Sequence, residues 1–148
     1  MYESIVVGTD GSETASRAVE QAIDLARAVG ARLELVSAYE PVPRERIREE
    51  ARQAPEDLEA WTFNPREDVE EVLRVAANAA QGAGVQVNIH ARQGDPADAL
   101  LDVAEEQGAS LIIVGNKGMT GAKRFLLGSV PDKVSHHASC SVLIVRTT

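Results

Sequence analysis

The sequence predicts an open α/β fold: five parallel strands in the order 3-2-1-4-5, with helices on both faces of the sheet. Three observations carry that expectation. Short β-branched runs at residues 4–9, 32–39, 85–91, 111–114 and 142–146 alternate with segments of helical period. Those runs are near-continuously apolar, as strands covered on both faces are. The first and fourth end alike, in Val6-Val7-Gly8-Thr9-Asp10 and Ile113-Val114-Gly115-Asn116-Lys117, which suits neighbours at the point where winding reverses. Right-handed crossovers complete the order.

The helices follow from their apolar faces. Ala15, Ala18, Val19, Ala22, Ile23, Ala26 and Val29 form one; Val69, Val72, Leu73, Ala76, Ala79 and Ala80 form another. Leu100, Leu101 and Ala104 mark a third, and Val130, Val134, His137 and Ala138 a short fourth. Asn64-Pro65 and Asp95-Pro96 each set a capping residue before a proline at the first helical position. Ser129-x-x-Asp132 has the spacing of a capping box, and Gly30, Gly82 and Gly108 stand where three helices stop. Residues 40–64 fit no such pattern. Pro41 and Pro43 open that stretch, Pro55 interrupts it, and Trp61 and Phe63 tack it to the body; it reads as a variable, solvated excursion.

Composition narrows the function. A chain of 148 residues suits a single domain spanning 1–148 with a substantial core, and 44% hydrophobic with 26% charged residues is ordinary for a soluble protein. No apolar run approaches the roughly 18–20 residues that cross a bilayer, and a strand by Ser4 leaves no room for a signal peptide. One cysteine, Cys140, forms no internal disulfide and sits where packing rather than reactivity is expected, which fits the cytoplasm. A net charge of −8 argues against nucleic acid and membrane surfaces as partners, and 3% aromatic residues against base-stacking platforms. The acidic excess gathers in residues 40–71. Lys117, Lys123 and Arg124 instead fall together, with no acidic residue between Gly115 and Val130.

That cationic stretch is also the glycine-rich one. Gly115-x2-Gly118-x9-Gly128-Ser129 follows an apolar strand and leads into a helix. Glycine lets backbone approach a ligand where a Cβ would clash, and a helix start offers unpaired N–H groups and the positive end of a dipole. Strand, glycine loop, hydroxyl and helix together suit a polyanion. The first turn has neither G-x-G-x-x-G nor a Walker-type phosphate loop, which argues against a dinucleotide-binding domain or a P-loop NTPase. No nucleophile elbow, carboxylate pair or activated cysteine is recognisable, so no catalytic residue is assigned. Adjacent His136 and His137 point about 100° apart on a helix; one packed and one exposed histidine is expected there, with no metal site.

The spacing Gly115-x2-Gly118-x9-Gly128-Ser129 resembles the nucleotide-binding signature of the universal stress protein family, in its ATP-binding branch. IVVGTDGS at residues 5–12 resembles the family's opening strand, and LLGSVPDKVSHHASCSVLIV at 126–145 its last helix and strand. The combination VVGTDGS, SAYEP, VGNKG and LLGSVPDKVS is similar to an actinobacterial subgroup with cyclic-AMP-binding members. The resemblance implies the Rossmann-like, adenine nucleotide alpha hydrolase-like fold with the same strand order. It implies a stress-response regulator rather than an enzyme, with slow ATP hydrolysis as its nearest catalytic alternative. ATP is the first ligand expected, with Mg2+ able to accompany its phosphates, and cyclic AMP the second.

Residue by residue, the resemblance implies that Asp10 contacts the ribose and metal–phosphate region and that the Ala38 backbone reads the adenine edge. Gly8 and Thr9 would form the floor, and Val114 would pack on base or sugar. Gly115, Lys117 and Gly118 would meet the phosphates, and Gly128, Ser129 and Val130 would close the far side. The last strand, 142–146, lies at a sheet edge with no proline or inward charge to discourage pairing. A homodimer through antiparallel pairing of that strand is expected, and the resemblance implies the same contact.

Overall fold

The structure, a computed structural model, describes residues 2–40, 65–116 and 128–147. The expected excursion beyond Glu40, the Asn64 cap, and Lys117, Gly118, Lys123 and Arg124 lie outside the described residues. In chain order the elements are β1 (Ser4–Gly8), α1 (Glu13–Val29), β2 (Arg32–Tyr39), α2 (Pro65–Gly82), β3 (Val87–Gln93), α3 (Pro96–Glu106), β4 (Leu111–Gly115), α4 (Ser129–His137) and β5 (Ser141–Val145). The sheet runs β3-β2-β1-β4-β5 and every pair is parallel, as the sequence predicts.

Alternation along the strands divides the core in two. Ile5, Val7, Leu33, Leu35, Leu111 and Ile113 face α1 and α2, where Ala18, Val19, Ala22, Ile23 and Leu73 meet them. Val6, Val36, Ile112 and Val114 face the other way, against Leu100, Val103, Val130 and Val134 of α3 and α4. Each fully buried Val, Leu or Ile contributes roughly 1.5–3 kcal/mol, so the three central strands anchor the sheet. Full burial does not extend to the edges: among its residues β3 has none fully buried, and β5 only Val145.

Local chemistry sets the joints. Ser12 caps α1, its hydroxyl accepting from the Ala15 N–H at 3.2 Å, and Gly30 ends that helix at φ +71°. Asp95 caps α3, with Pro96 as the first helical residue, and accepts from the Asp98 N–H at 3.0 Å. Lys133 of α4 reaches Asp95 at 3.3 Å and Asp98 at 2.9 Å, tying the two helices across one face.

Three local expectations are corrected. β3 begins two residues later than predicted, because the Val85 N–H still donates to Ala80 at the end of α2. α2 ends at Gly82, as expected, and the left-handed residue follows at Gly84 (φ +80°). His136 and His137 are both exposed, since the buried line of α4 runs through Val130, Pro131 and Val134. The centre of β2 is also not apolar throughout. Glu34 is fully buried there, accepting from Asn88 Nδ2 at 3.1 Å and Arg32 Nε at 3.3 Å, with His90 Nε2 at 3.6 Å from its second oxygen.

Candidate functional site

The reversal in strand order falls between β1 and β4, so their carboxyl ends open the crevice where ligands of such sheets bind. Gly8, Val114, Gly115 and Val130 converge there around a cavity of about 20 Å3, completed by Thr14, Ala15, Ala18, Leu100 and Thr147. This brings together residues from the first strand, the fourth strand and the head of α4. Neither Gly115 nor Gly128 adopts a positive φ. Space at 115 is tight instead: a Cβ there would stand 3.2 Å from Thr147 Cγ2, so that methyl would have to give way slightly.

The head of α4 differs from the capping-box reading. Gly128 is the N-cap (φ −65°, ψ 164°) and no side chain caps the helix, so Ser129 is its first residue and is exposed. Its hydroxyl is therefore not committed to capping. Pro131 has no N–H, and Asp132 N–H donates to the Gly128 carbonyl at 3.0 Å. The backbone N–H groups of Ser129 and Val130 have no hydrogen-bond partner among the described residues. With the helix dipole behind them, they form a compact donor pair for an anion.

On the other flank, the Thr9 N–H donates to the Val36 carbonyl at 2.9 Å, carrying the β1–β2 ladder one residue past Gly8. Thr9 does not join Gly8 at the floor of the crevice. Its hydroxyl accepts from the Gly11 N–H at 3.1 Å, and it lines a separate cavity of about 370 Å3 between α1 and α2. Asp10 follows at the strand end. One of its oxygens accepts from the Ser12 N–H at 2.9 Å, and the other has no donor among the described residues. Ala38 is half-buried on the α3–α4 side near the end of β2. Lys117 and Gly118 fall outside the described residues.

Sequence reasoning missed Thr147. It is 3% exposed, lies over Gly115 and receives Arg17 Nη1 on its carbonyl at 2.8 Å. Nothing in a residue beyond the last strand announces such a role; only the β4–β5 register places it. Cys140 is half-buried and burial pushes its thiol up, consistent with packing rather than reactivity. Among the described residues no cluster of three or more His, Cys, Asp or Glu is placed to hold a metal, and no helix is long and apolar enough to cross a membrane.

Fold and crevice together define an open parallel α/β protein whose topological switch point carries backbone donors that have no partner among the described residues. The model of the universal stress protein family matches residues 1–146, and the chain belongs to that family. A universal stress protein of Mycobacterium tuberculosis is 41% identical over 152 residues, covering 99% of this chain and 98% of the relative. One from Thermus aquaticus is 37% identical over 149 residues, with 99% and 100% covered. Among solved structures, a universal stress protein in complex with cAMP has a TM-score of 0.72 and 36% identity, covering 99% of this chain and 98% of that one. An Archaeoglobus fulgidus member in complex with dAMP, at 24% identity and a TM-score of 0.68, shares the fold; 98% of each chain is covered.

Proposed function

We infer that the chain binds an adenine nucleotide at the carboxyl ends of β1, β2 and β4, and acts as a regulator rather than as a rapid enzyme. The observation that carries this reading is the uncapped head of α4. Its Ser129 and Val130 N–H groups have no partner among the described residues, and Val130 lines the same crevice as Gly115, where a Cβ would be tightly placed against Thr147. Asp10, one of whose oxygens has no donor among the described residues, supplies a carboxylate for ribose hydroxyls, two in ATP and the 2′-hydroxyl alone in cyclic AMP, and Ala38 leaves room for a flat base near β2.

The phosphate count separates two ligands. ATP is the choice that the glycine spacing suggests, with Mg2+ brought by its own phosphates. Cyclic AMP gains weight from the 36% identical neighbour solved in complex with it. Both would use the same adenosine pocket. Equilibrium dialysis of wild type, Asp10→Ala and Ser129→Ala with each nucleotide tests the reading. Asp10→Ala is expected to weaken both ligands, and Ser129→Ala to weaken them about tenfold, the effect of one hydrogen bond to a charged group. Unchanged affinity in both variants would move the site elsewhere.

A further inference from the structure

We propose that Asn116 is a positioning residue for the nucleotide site, and that through it the C-terminal tail becomes a working part of that site. The proposal rests on the adenine-nucleotide reading above. Three groups of Asn116 are engaged at once. Its N–H donates to the Val145 carbonyl at 2.9 Å, continuing the β4–β5 ladder. Its carbonyl accepts from the Gly128 N–H at 2.9 Å, one residue before Ser129. Its Oδ1 accepts from Thr147 twice, from N–H at 2.9 Å and from Oγ1 at 3.1 Å.

The orientation of this carboxamide is determined by chemistry. A backbone N–H only donates, so the side-chain oxygen, not the nitrogen, must face Thr147. Thr147 is in turn fixed from three sides: by Asn116, by Arg17 of α1 through its carbonyl, and by contact over Gly115. The ends of β4, β5, α1 and α4 therefore meet on one hydrogen-bonded pair.

This matters because the anion donors sit on Ser129 and Val130, whose position follows that of Gly128. A binding group is useful only when held within about 0.5 Å of its productive place. Among the described residues, Asn116 joins Gly128 to the sheet. Its side-chain bonds to Thr147 stop it from turning, so they act on the phosphate end of the site and not on the adenosine end near Asp10 and Ala38. Asn116 touches no ligand in this account and acts through Gly128; Thr147 lines the crevice beside Gly115, and its proposed role is to hold Asn116.

The test compares cyclic AMP, ATP and adenosine against wild type, Asn116→Ala and Thr147→Val by calorimetry, with amide hydrogen exchange at Gly128 and Thr147. Asn116→Ala keeps the backbone bond to Gly128 and removes only the tie to Thr147. It is expected to weaken the nucleotides about tenfold while adenosine changes less than about twofold. Thr147→Val, which keeps shape and one of the two bonds, should lose about threefold with the same selectivity. In the wild type, saturating nucleotide should slow exchange at both amides, because coupling between tie and ligand is reciprocal. Equal losses for adenosine and nucleotides would show a merely structural role and overturn the proposal, as would unchanged affinities in both variants. A folded wild type that binds none of the three ligands would overturn the nucleotide reading itself, and this role with it.

Discussion

Glu34 is the residue whose environment is least expected from its type. A carboxylate fully buried in a central strand is tolerated only while its donors remain in place. Asn88, Arg32 and His90 surround it, and all project from β2 and β3. Removing the carboxylate strands the Asn88 and Arg32 donors rather than merely deleting contacts. Glu34→Ala is expected to lose about 3 kcal/mol in urea unfolding, the low end for a broken buried pair because the Arg32 side chain keeps 37% exposure. Glu34→Gln, which retains an acceptor, should lose clearly less. A loss below about 1 kcal/mol for the alanine variant would show that the cluster is neutral to stability.

Asp95 offers a residue-scale prediction in pH. The Asp98 N–H, and then Lys133, hold its carboxyl below the usual range. A depressed folded pKa contributes stability that is present above the unfolded value of about 3.9 and lost as pH falls through the folded one. Asp95→Ala should therefore destabilise by about 1 kcal/mol at pH 7, with the gap narrower at pH 3 and closing further as the carboxyl protonates in the folded state. Unfolding curves at both pH values check it; an equal gap at pH 3 would assign the effect to packing.

At the scale of elements, legibility followed burial. The central strands and α1 were readable because a two-sided core imposes continuous apolar runs and a helix over that core imposes one apolar face. The start of β3 was not, because Val85 is as apolar as a strand residue while its N–H closes α2. The head of α4 was misread for a related reason. Ser129 and Asp132 have capping-box spacing, yet Gly128 takes the cap and frees the hydroxyl. The clearest element-scale prediction concerns β5. Leu143 and Ile144 are 40% and 39% exposed on this edge strand. A homodimer by antiparallel pairing of residues 142–146 would cover them and satisfy the open ladder. Light scattering at micromolar concentration should give about twice the 15.8 kDa chain mass, and Ile144→Pro should abolish that species. A wild-type monomer at those concentrations would rule the pairing out.

At the scale of the whole molecule, the strand order places Gly8, Val114, Gly115 and Val130 together although 122 positions (130 minus 8) separate the first from the last. The family resemblance and the alternating pattern both made this legible. Thr147 was not, since its place depends on a register that only folding creates. The proposed regulatory role predicts that turnover is incidental to what the protein does. Purified protein with ATP and Mg2+ should release phosphate far more slowly than the roughly 1–1000 per second of ordinary enzymes. Turnover within that range, lost in Asp10→Ala, would make it an enzyme.

Isothermal titration of the wild-type protein with cyclic AMP and with ATP tests the central claim most directly. The account predicts saturable binding of at least one of them at one site per chain, with a dissociation constant near micromolar, or about −8 kcal/mol. Folded protein that takes up neither nucleotide would contradict it.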